Sequence, residues 1–339
     1  MPKVSVMIPV YDSGDVLRRT VKSVLAQTMG DFELILLNDG SPDPGTRELV
    51  DELGKQDRRI RVFHQANRGV YATNDIGVGM AQGMYVYYCA HDDYLHPQLL
   101  ELGVRVCEKN DADFVALRWE CVDVKTEPRL RMYDDDELNI DVVDHYDIDE
   151  FCRLIGKVHT DGWAQFMRRD LSVKFPFMTN GTVLRTVKCV HGAKKWGVIH
   201  NPLYFYSVNV SGSLMHKPIH ADWVNELHRE LIGMYDFAQE CMDERQLNAI
   251  CEKHIVPGLL TVFHMIKHSR RSKVKGSRAG AWRAFAMMAA DFLCVRKISP
   301  RLIGIKHFVE YFAVTLFFGG FSRKGIGAEN FRGHSAEME

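Results

Sequence analysis

The 339-residue sequence predicts an α/β domain with a mostly parallel sheet, followed by a helical region. Three apolar runs, Val4–Val10, Phe32–Leu37 and Tyr85–Ala90, have the near-continuous hydrophobicity of strands that are buried on both faces. Segments with helical spacing of apolar residues separate these runs. Alternation of strands with helices is typical of a parallel sheet covered by helices.

The elements follow in chain order. Ser13 can cap a first helix whose apolar face includes Val16 and Leu17, and helices are predicted over Thr46–Leu53 and Ala72–Gln82. Beyond the first ninety residues we expect a helix and two strands, over Pro97–Glu108, Phe114–Leu117 and Asn201–Tyr206. From about residue 220 the pattern becomes helical, so we predict domains over residues 1–218 and 219–339.

Composition excludes some classes of function. The formal net charge of −1 argues against a general nucleic-acid binder. Eight cysteines show no metal-ligand spacing and are expected to be reduced thiols in a cytosolic protein, and the strand-like start at Met1 does not resemble a secretory signal. The acidic stretch 133–150 is predicted to be a solvated loop, and the basic stretch 267–283 to be a partner site for an anionic membrane surface.

Ligands of open parallel sheets bind beyond the carboxyl ends of the strands. A shorter strand is also predicted over Arg61–His64. The four strands predicted in the first ninety residues all end in polar or turn-forming residues, namely Tyr11-Asp12, Asn38-Asp39-Gly40-Ser41, Asn67-Arg68-Gly69 and His91-Asp92-Asp93. The paired carboxylates of Asp92 and Asp93 suit a divalent cation and a phosphate, although aspartates also favour turns. Convergence of four such ends favours a nucleotide site.

Two other nucleotide-binding patterns are excluded. The glycines of residues 77–83 precede a strand instead of following one, so they cannot form a dinucleotide-binding turn. No GxxxxGK[ST] phosphate loop occurs in the sequence.

The ordered motifs resemble family 2 glycosyltransferases, which have the GT-A fold. The resemblance rests on the segments Val4–Tyr11, Ser23–Thr28, Phe32–Ser41, Asn67–Gly69 and Asp92-Asp93, and continues more weakly from Trp163 to Ser213. It implies a sugar-nucleotide donor, with uridine as the expected base, and inversion at the anomeric carbon. It also implies an acceptor hydroxyl on a glycan or a lipid-linked molecule.

The resemblance also implies roles for individual residues. Residues expected to bind the nucleotide sugar are Pro9, Val10, Tyr11, Asp12, Asp39, Asn67, Gly69 and Asp92. Asp39 would accept a hydrogen bond from the base, and Asp93 would bind Mn²⁺ or Mg²⁺ across the diphosphate. His216 is a further candidate metal ligand, because histidine binds transition metals such as Mn²⁺.

The sequence departs from the family where a catalytic base is expected. An acidic pair usually follows a segment like Lys174–Phe177, but residues 178–182 contain no acid. Asp161 and His191 are the candidate replacements for the base, and each could instead be structural. A catalytically silent member that binds nucleotide sugar or a partner protein is therefore one alternative. A nucleotidyltransferase of a related fold is another, but its glycine-rich loop after the first strand is absent.

Two apolar stretches, 281–295 and 307–321, are too short to cross a bilayer as helices and are flanked by basic residues. They are predicted either to cap the catalytic domain or to lie in the cytosolic interface of a membrane, with the crowded phenylalanines of the second stretch favouring the membrane. A cytoplasmic protein, peripheral on the cytosolic face of a membrane, is therefore expected.

Overall fold

The computed structural model describes residues 1–155, 162–210, 221–268, 277–292 and 296. The chain divides into two units, Met1–Ser213 and Leu214–Glu339. The candidate site lies in the first unit.

A mixed sheet forms the centre of the first unit. Its nine strands within the described residues are β1 Val4–Val10, β2 Phe32–Asp39, β3 Ile60–Gln65, β4 Tyr85–Tyr88, β5 Tyr94–Leu95, β6 Phe114–Asp123, β7 Ile140–Val143, β8 Gln165–Arg168 and β9 Trp196–Val208. The order is β3-β2-β1-β4-β8-β6-β9-β5, and β7 pairs with β9. Strands β1 to β4 are mutually parallel, which confirms the predicted arrangement, whereas β8 runs antiparallel to both of its neighbours.

In the described part of the first unit, eight helices connect or cover these strands. They are α1 Val16–Leu25, α2 Pro44–Gly54, α3 Val70–Met80, α4 Leu99–Asn110, α5 Ile148–Ile155, α6 Arg169–Lys174, α7 Phe177–Asn180 and α8 Val183–Gly192, with short 3₁₀ helices at Asp135–Glu137 and Gly162–Ala164. The predicted cap at Ser13 is wrong: α1 starts at Val16, after Asp15. The prediction of a loop over residues 133–150 is also wrong, because β7 joins the sheet and α5 begins at Ile148.

The strand order creates a switch point between β1 and β4. From β1 the chain proceeds to β2 and then β3 on one side, and β4 is added on the other side of β1. The connections therefore diverge at the carboxyl ends of β1 and β4, which leaves a crevice between them. Because β8 is antiparallel to β4, the start of β8 reaches this same edge.

The second unit is helical in the part that the structure describes. It contains α9 Ala221–Cys241, α10 Glu244–Ile250, a π-helical turn at Cys251–Ile255, α11 Val256–His268 and α12 Ser277–Ala290. Apolar residues of α12 such as Phe285 and Met288 are fully buried. Within the second unit, α12 packs against α9 and α11. Residues 293–295 and 307–321 lie outside the described residues, and both the cap and the membrane alternatives stay predictions. Among the described residues, no helix is long and apolar enough to cross a membrane.

Candidate active site at the β1–β4 switch point

The Asp39–Gly40 turn at the end of β2 anchors the loop that precedes α3. The carboxylate of Asp39 accepts hydrogen bonds from Gln65 Nε2 at 2.8 Å, from Arg68 N at 2.8 Å and from Gly69 N at 2.9 Å. Gly40 has φ +68° and lies so close to Asn67 that a Cβ would be 2.5 Å from its backbone nitrogen. Asp39 is buried, and these donors occupy three of the about four lone-pair sites of its carboxylate.

The predicted base-pocket residues differ in exposure. Pro9 lines a cavity at the strand end, and Tyr11 is 46% exposed. Val10 is fully buried in the core, so its side chain faces away from a nucleotide, which does not favour the predicted contact. Asp12 is exposed, with φ +50°, and its backbone N–H donates to Ser41 Oγ at 3.1 Å. Tyr11 is thus the predicted residue with the largest accessible ring at this end.

The His91–Asp93 turn is held in place from two sides. The single hydroxyl proton of Thr20 on α1 is shared between the carbonyl oxygens of His91, 2.9 Å from Oγ1, and of Asp93, 2.8 Å from it. On the other side, the Asp93 carboxylate accepts from Ser207 N at 2.7 Å and from the Tyr204 hydroxyl, both on β9. The turn that carries Asp92 is therefore fixed to both α1 and β9.

Asp93 is enclosed and Asp92 is not. Asp93 is fully buried, and burial, together with the charge of Asp92, raises the pKa of its carboxyl to about 7. Asp92 is half-buried. A carboxylate whose two oxygens are engaged inside the protein is poorly placed to bind a cation on a diphosphate, so the geometry does not favour the metal role predicted for Asp93. Asp92 is the more accessible carboxylate of the pair.

The Tyr204 hydroxyl links this turn to an aromatic cluster. It accepts a hydrogen bond from Ala90 N at 3.3 Å while donating to Asp93. Its ring stacks on Trp163, with centroids 4.6 Å apart, and Trp163 in turn contacts Trp119 and Tyr206. We refer to the half-buried Trp119, Trp163 and Tyr206 as the aromatic cluster.

A cavity of about 130 Å³ opens at the switch point. Its lining comes from the ends of β1 and β4, from α3, and from the segments before β8 and α8: Pro9, Val70, Tyr71, Asn74, Tyr88, Cys89, Ala90, Gly162, Trp163, Phe177 and Thr182. Several of these residues were not predicted as site residues. For Trp163 the missing information was the antiparallel direction of β8, which brings the start of that strand to the ligand edge.

The segment expected to carry the acidic base is ordered by other groups. Arg185 is fully buried, donates to Phe175 O, Gln165 Oε1 and Ser172 Oγ at 2.7–2.9 Å, and lies 4.0 Å from the ring centroid of Phe177. Asp75 on α3 accepts from the backbone N–H groups of Phe177, at 2.8 Å, and Met178, at 2.9 Å. Asp75 was not predicted, although it is the acid that contacts this segment.

The two predicted base candidates have different outcomes. His191 is in the last turn of α8, about 13 Å along the helix axis from its start near Thr182, and its ring contacts Tyr146. This position does not favour a role at the cavity. Asp161 lies outside the described residues, as does the candidate metal ligand His216.

Residues 5–173 match the family model described as "Glycosyl transferase family 2". The chain carries a family 2 glycosyltransferase domain. The match favours this family over the nucleotidyltransferase alternative. It includes the Asp39 turn, the His91–Asp93 turn and Trp163.

Curated relatives agree with this assignment over about a third of the chain. The uncharacterized glycosyltransferase EpsJ of Bacillus subtilis is 36% identical over 115 residues, which are 34% of this chain and 33% of EpsJ. Glycosyltransferase GlyG of Streptococcus pneumoniae is 35% identical over 113 residues, 33% of this chain and 37% of GlyG. Chondroitin synthase of Pasteurella multocida is 36% identical over 105 residues, 31% of this chain and 11% of the synthase. The chain thus spans about a third of the length of EpsJ and GlyG.

Solved structures share the GT-A fold. TarS of S. aureus, residues 1–349 in complex with UDP-GlcNAc, has a TM-score of 0.62 at 16% identity, covering 94% of this chain and 91% of that chain. Mannosyltransferase PcManGT of Pyrobaculum calidifontis, in complex with GDP-Man and Mn²⁺, has a TM-score of 0.51 at 14% identity, covering 94% and 87%. Likeness at these identities establishes the fold.

Proposed function

We propose that this glycosyltransferase transfers a sugar from a uridine diphosphate sugar to a hydroxyl of a glycan or lipid-linked acceptor, with inversion at the anomeric carbon. The half-exposed Asp92 at the switch point carries the proposal, since it lies where open α/β sheets bind ligands. Tyr11 and the remaining lone pair of Asp39 would hold the base. UDP-GlcNAc bound to TarS supports the choice of nucleotide.

Asp92 would hold a divalent cation, Mn²⁺ or Mg²⁺. The described residues contain no group of three or more His, Cys, Asp or Glu that could hold a metal ion. Such a group is not required, because a cation in sites of this kind takes one or two carboxylates together with substrate phosphates. When bound, the cation supplies positive charge that stabilises the departing diphosphate. The pair of Asp92 and a diphosphate fits this requirement.

The catalytic base would be a carboxylate on the acceptor side of the cavity. Asp161 is the first candidate. Asp75 is the second: it contacts the 176–182 segment, but both of its oxygens already accept backbone N–H groups there. Asp75→Asn and Asp161→Asn should be assayed for transfer and for UDP-sugar binding. The base is identified by a large loss of kcat with unchanged donor binding. Unchanged kcat in both variants excludes both residues.

The acceptor would bind over the aromatic cluster. Its three rings form a rigid apolar surface beside the cavity, and such surfaces, with a few polar groups, are typical of ligand sites. Trp163 belongs both to the cluster and to the cavity lining, so a molecule on the cluster would be next to the donor. This arrangement suits a glycan acceptor better than a small polar one.

A catalytically silent nucleotide-sugar binder is the second candidate function. Thr182 lines the cavity in the segment where the family has its acidic pair, and a hydroxyl cannot serve as a base at neutral pH. Incubation of the full chain with UDP-sugars and Mn²⁺, with and without glycan acceptors, separates the two. Released UDP that is lost in Asp92→Asn supports the enzyme, whereas donor binding without release supports the binder.

Membrane association stays a prediction. Seven Lys or Arg residues without an acid over residues 267–283 would attract an anionic surface from the cytosolic side. Flotation with vesicles that contain phosphatidylserine tests this prediction. Equal recovery of the chain with neutral and anionic vesicles would contradict it.

A further inference from the structure

Asn74 lines the cavity and carries an unsatisfied hydrogen-bond acceptor. The side chain is 8% exposed, and its Oδ1 is buried without a hydrogen-bond partner among the described residues. Buried carbonyl oxygens in proteins are nearly always paired, because leaving one unpaired costs free energy. We therefore expect a hydrogen-bond donor of a bound ligand to pair with Asn74 Oδ1.

The rest of the wall is mainly apolar. Phe177 stacks on Tyr71, with centroids 6.0 Å apart, and meets Tyr88 edge-on at 4.8 Å. The Tyr88 hydroxyl bonds Ser172 Oγ at 2.8 Å, so this residue offers its ring to the cavity. Val70 and Trp163 complete the apolar part of the lining. The lining thus combines aromatic residues with the polar side chains of Asn74 and Thr182.

We propose that this cavity holds the acetamido group of a nucleotide-linked 2-acetamido sugar. The amide N–H of the sugar would donate to Asn74 Oδ1, and its methyl group would lie against the aromatic walls. A hydroxyl in the same place would satisfy Asn74 but would leave the apolar walls without an apolar partner. The inference rests on the proposed function, since it assigns the sugar class of the same donor site.

Binding of matched donors tests the inference. Calorimetry of the full chain with Mn²⁺ would compare UDP-GlcNAc with UDP-Glc and UDP-GalNAc with UDP-Gal, so that the result does not depend on the C4 configuration. UDP alone is the reference ligand. We expect each acetamido donor to bind at least about tenfold more tightly than its hydroxyl counterpart.

Asn74→Ala should reduce that preference to about threefold or less while UDP binding stays unchanged. Because it removes an unpaired acceptor, the unliganded variant should melt no lower than wild type. Asn110→Ala, at the end of α4, is the matched control and should keep the full preference. A lower melting temperature with an unchanged preference would show that Asn74 is structural and would overturn the inference.

The two proposals fail differently. If neither UDP nor any of its sugars binds, the proposed function itself is wrong. If UDP and all four sugars bind with similar affinity in wild type, the donor site stands and the acetamido assignment is overturned.

Discussion

Glu33 and Asp93 are buried carboxylates at opposite ends of the parallel strands, and their pKa values shift in opposite directions. Near the start of β2, burial opposes ionisation of Glu33, but hydrogen bonds from Ser5, Arg61 and Gln82 N outweigh it and lower its pKa. Beyond the end of β4, burial and the charge of Asp92 raise the pKa of Asp93. The charge of Glu33 is balanced by Arg61, whereas at the second end the charge of Asp92 opposes ionisation of Asp93, and a bound cation would relieve this repulsion.

The largest effect on activity is expected for Asp92→Asn, at the carboxyl ends of the parallel strands. We expect a loss of about 10³-fold in kcat/KM, because cation binding to the diphosphate weakens, with little change in the free energy of unfolding. Transfer kinetics over a range of Mn²⁺ concentrations, together with urea unfolding, measure both quantities. If Asp93→Asn abolishes the Mn²⁺ dependence and Asp92→Asn does not, Asp93 and not Asp92 binds the cation.

Glu33→Ala should instead lower stability and leave activity unchanged. Removing the shared acceptor of Ser5, Arg61 and Gln82 N should lower the free energy of unfolding by about 2–4 kcal/mol. The kcat/KM of the folded fraction should not change, since Glu33 is at the other end of the strands. Glu33→Gln, which keeps an acceptor, should lose less stability. Loss of kcat/KM at wild-type stability would contradict the division between the two ends.

Asp93→Asn should alter the pH dependence of stability. The unfolded carboxyl titrates near pH 4, and the folded one near pH 7, so the folded state holds its proton to higher pH. This group therefore favours folding at about pH 4 and below, and that contribution is lost as the pH rises to about 7.

Asparagine can keep both bonds, accepting from Ser207 N and donating to the Tyr204 hydroxyl. Urea unfolding at several pH values should therefore show that the stability of Asp93→Asn relative to wild type increases between about pH 4 and 7. A constant difference across this range would mean that Asp93 is ionised throughout in the folded protein.

The smallest effect is expected on the acceptor side. Trp119→Ala should raise the acceptor KM about three- to tenfold, because one ring of the aromatic cluster is removed, and should leave the donor KM unchanged. Phe63→Ala, on β3 at the edge of the sheet, is the aromatic control and should change neither constant. A change in the donor KM alone would show that the aromatic cluster contacts the donor and not the acceptor.

Sequence patterns predicted the donor side better than the acceptor side. Buried parallel strands are continuous apolar runs that end in polar turns, so β1, β2 and β4 and the residues at their ends could be recognised locally. The burial of Asp93 beside a half-buried Asp92 could not be recognised in this way. It depends on Tyr204 and Ser207, which are more than a hundred residues away in the sequence. The unpaired oxygen of Asn74 likewise becomes visible only when its neighbours are in place.

Because β8 runs against β4, the two halves of the site are attached to the sheet in different ways. Strand ends supply the proposed nucleotide contacts, and the segment before β8 supplies Gly162 and Trp163, which line the cavity next to the proposed acceptor surface. Insertions or replacements ahead of β8 can therefore reshape the acceptor half without shifting the register of β1, β2 or β4. Acceptor preference can therefore diverge between relatives while the nucleotide-binding strands stay the same. Exchange of the loop before Gln165 is a way to engineer it.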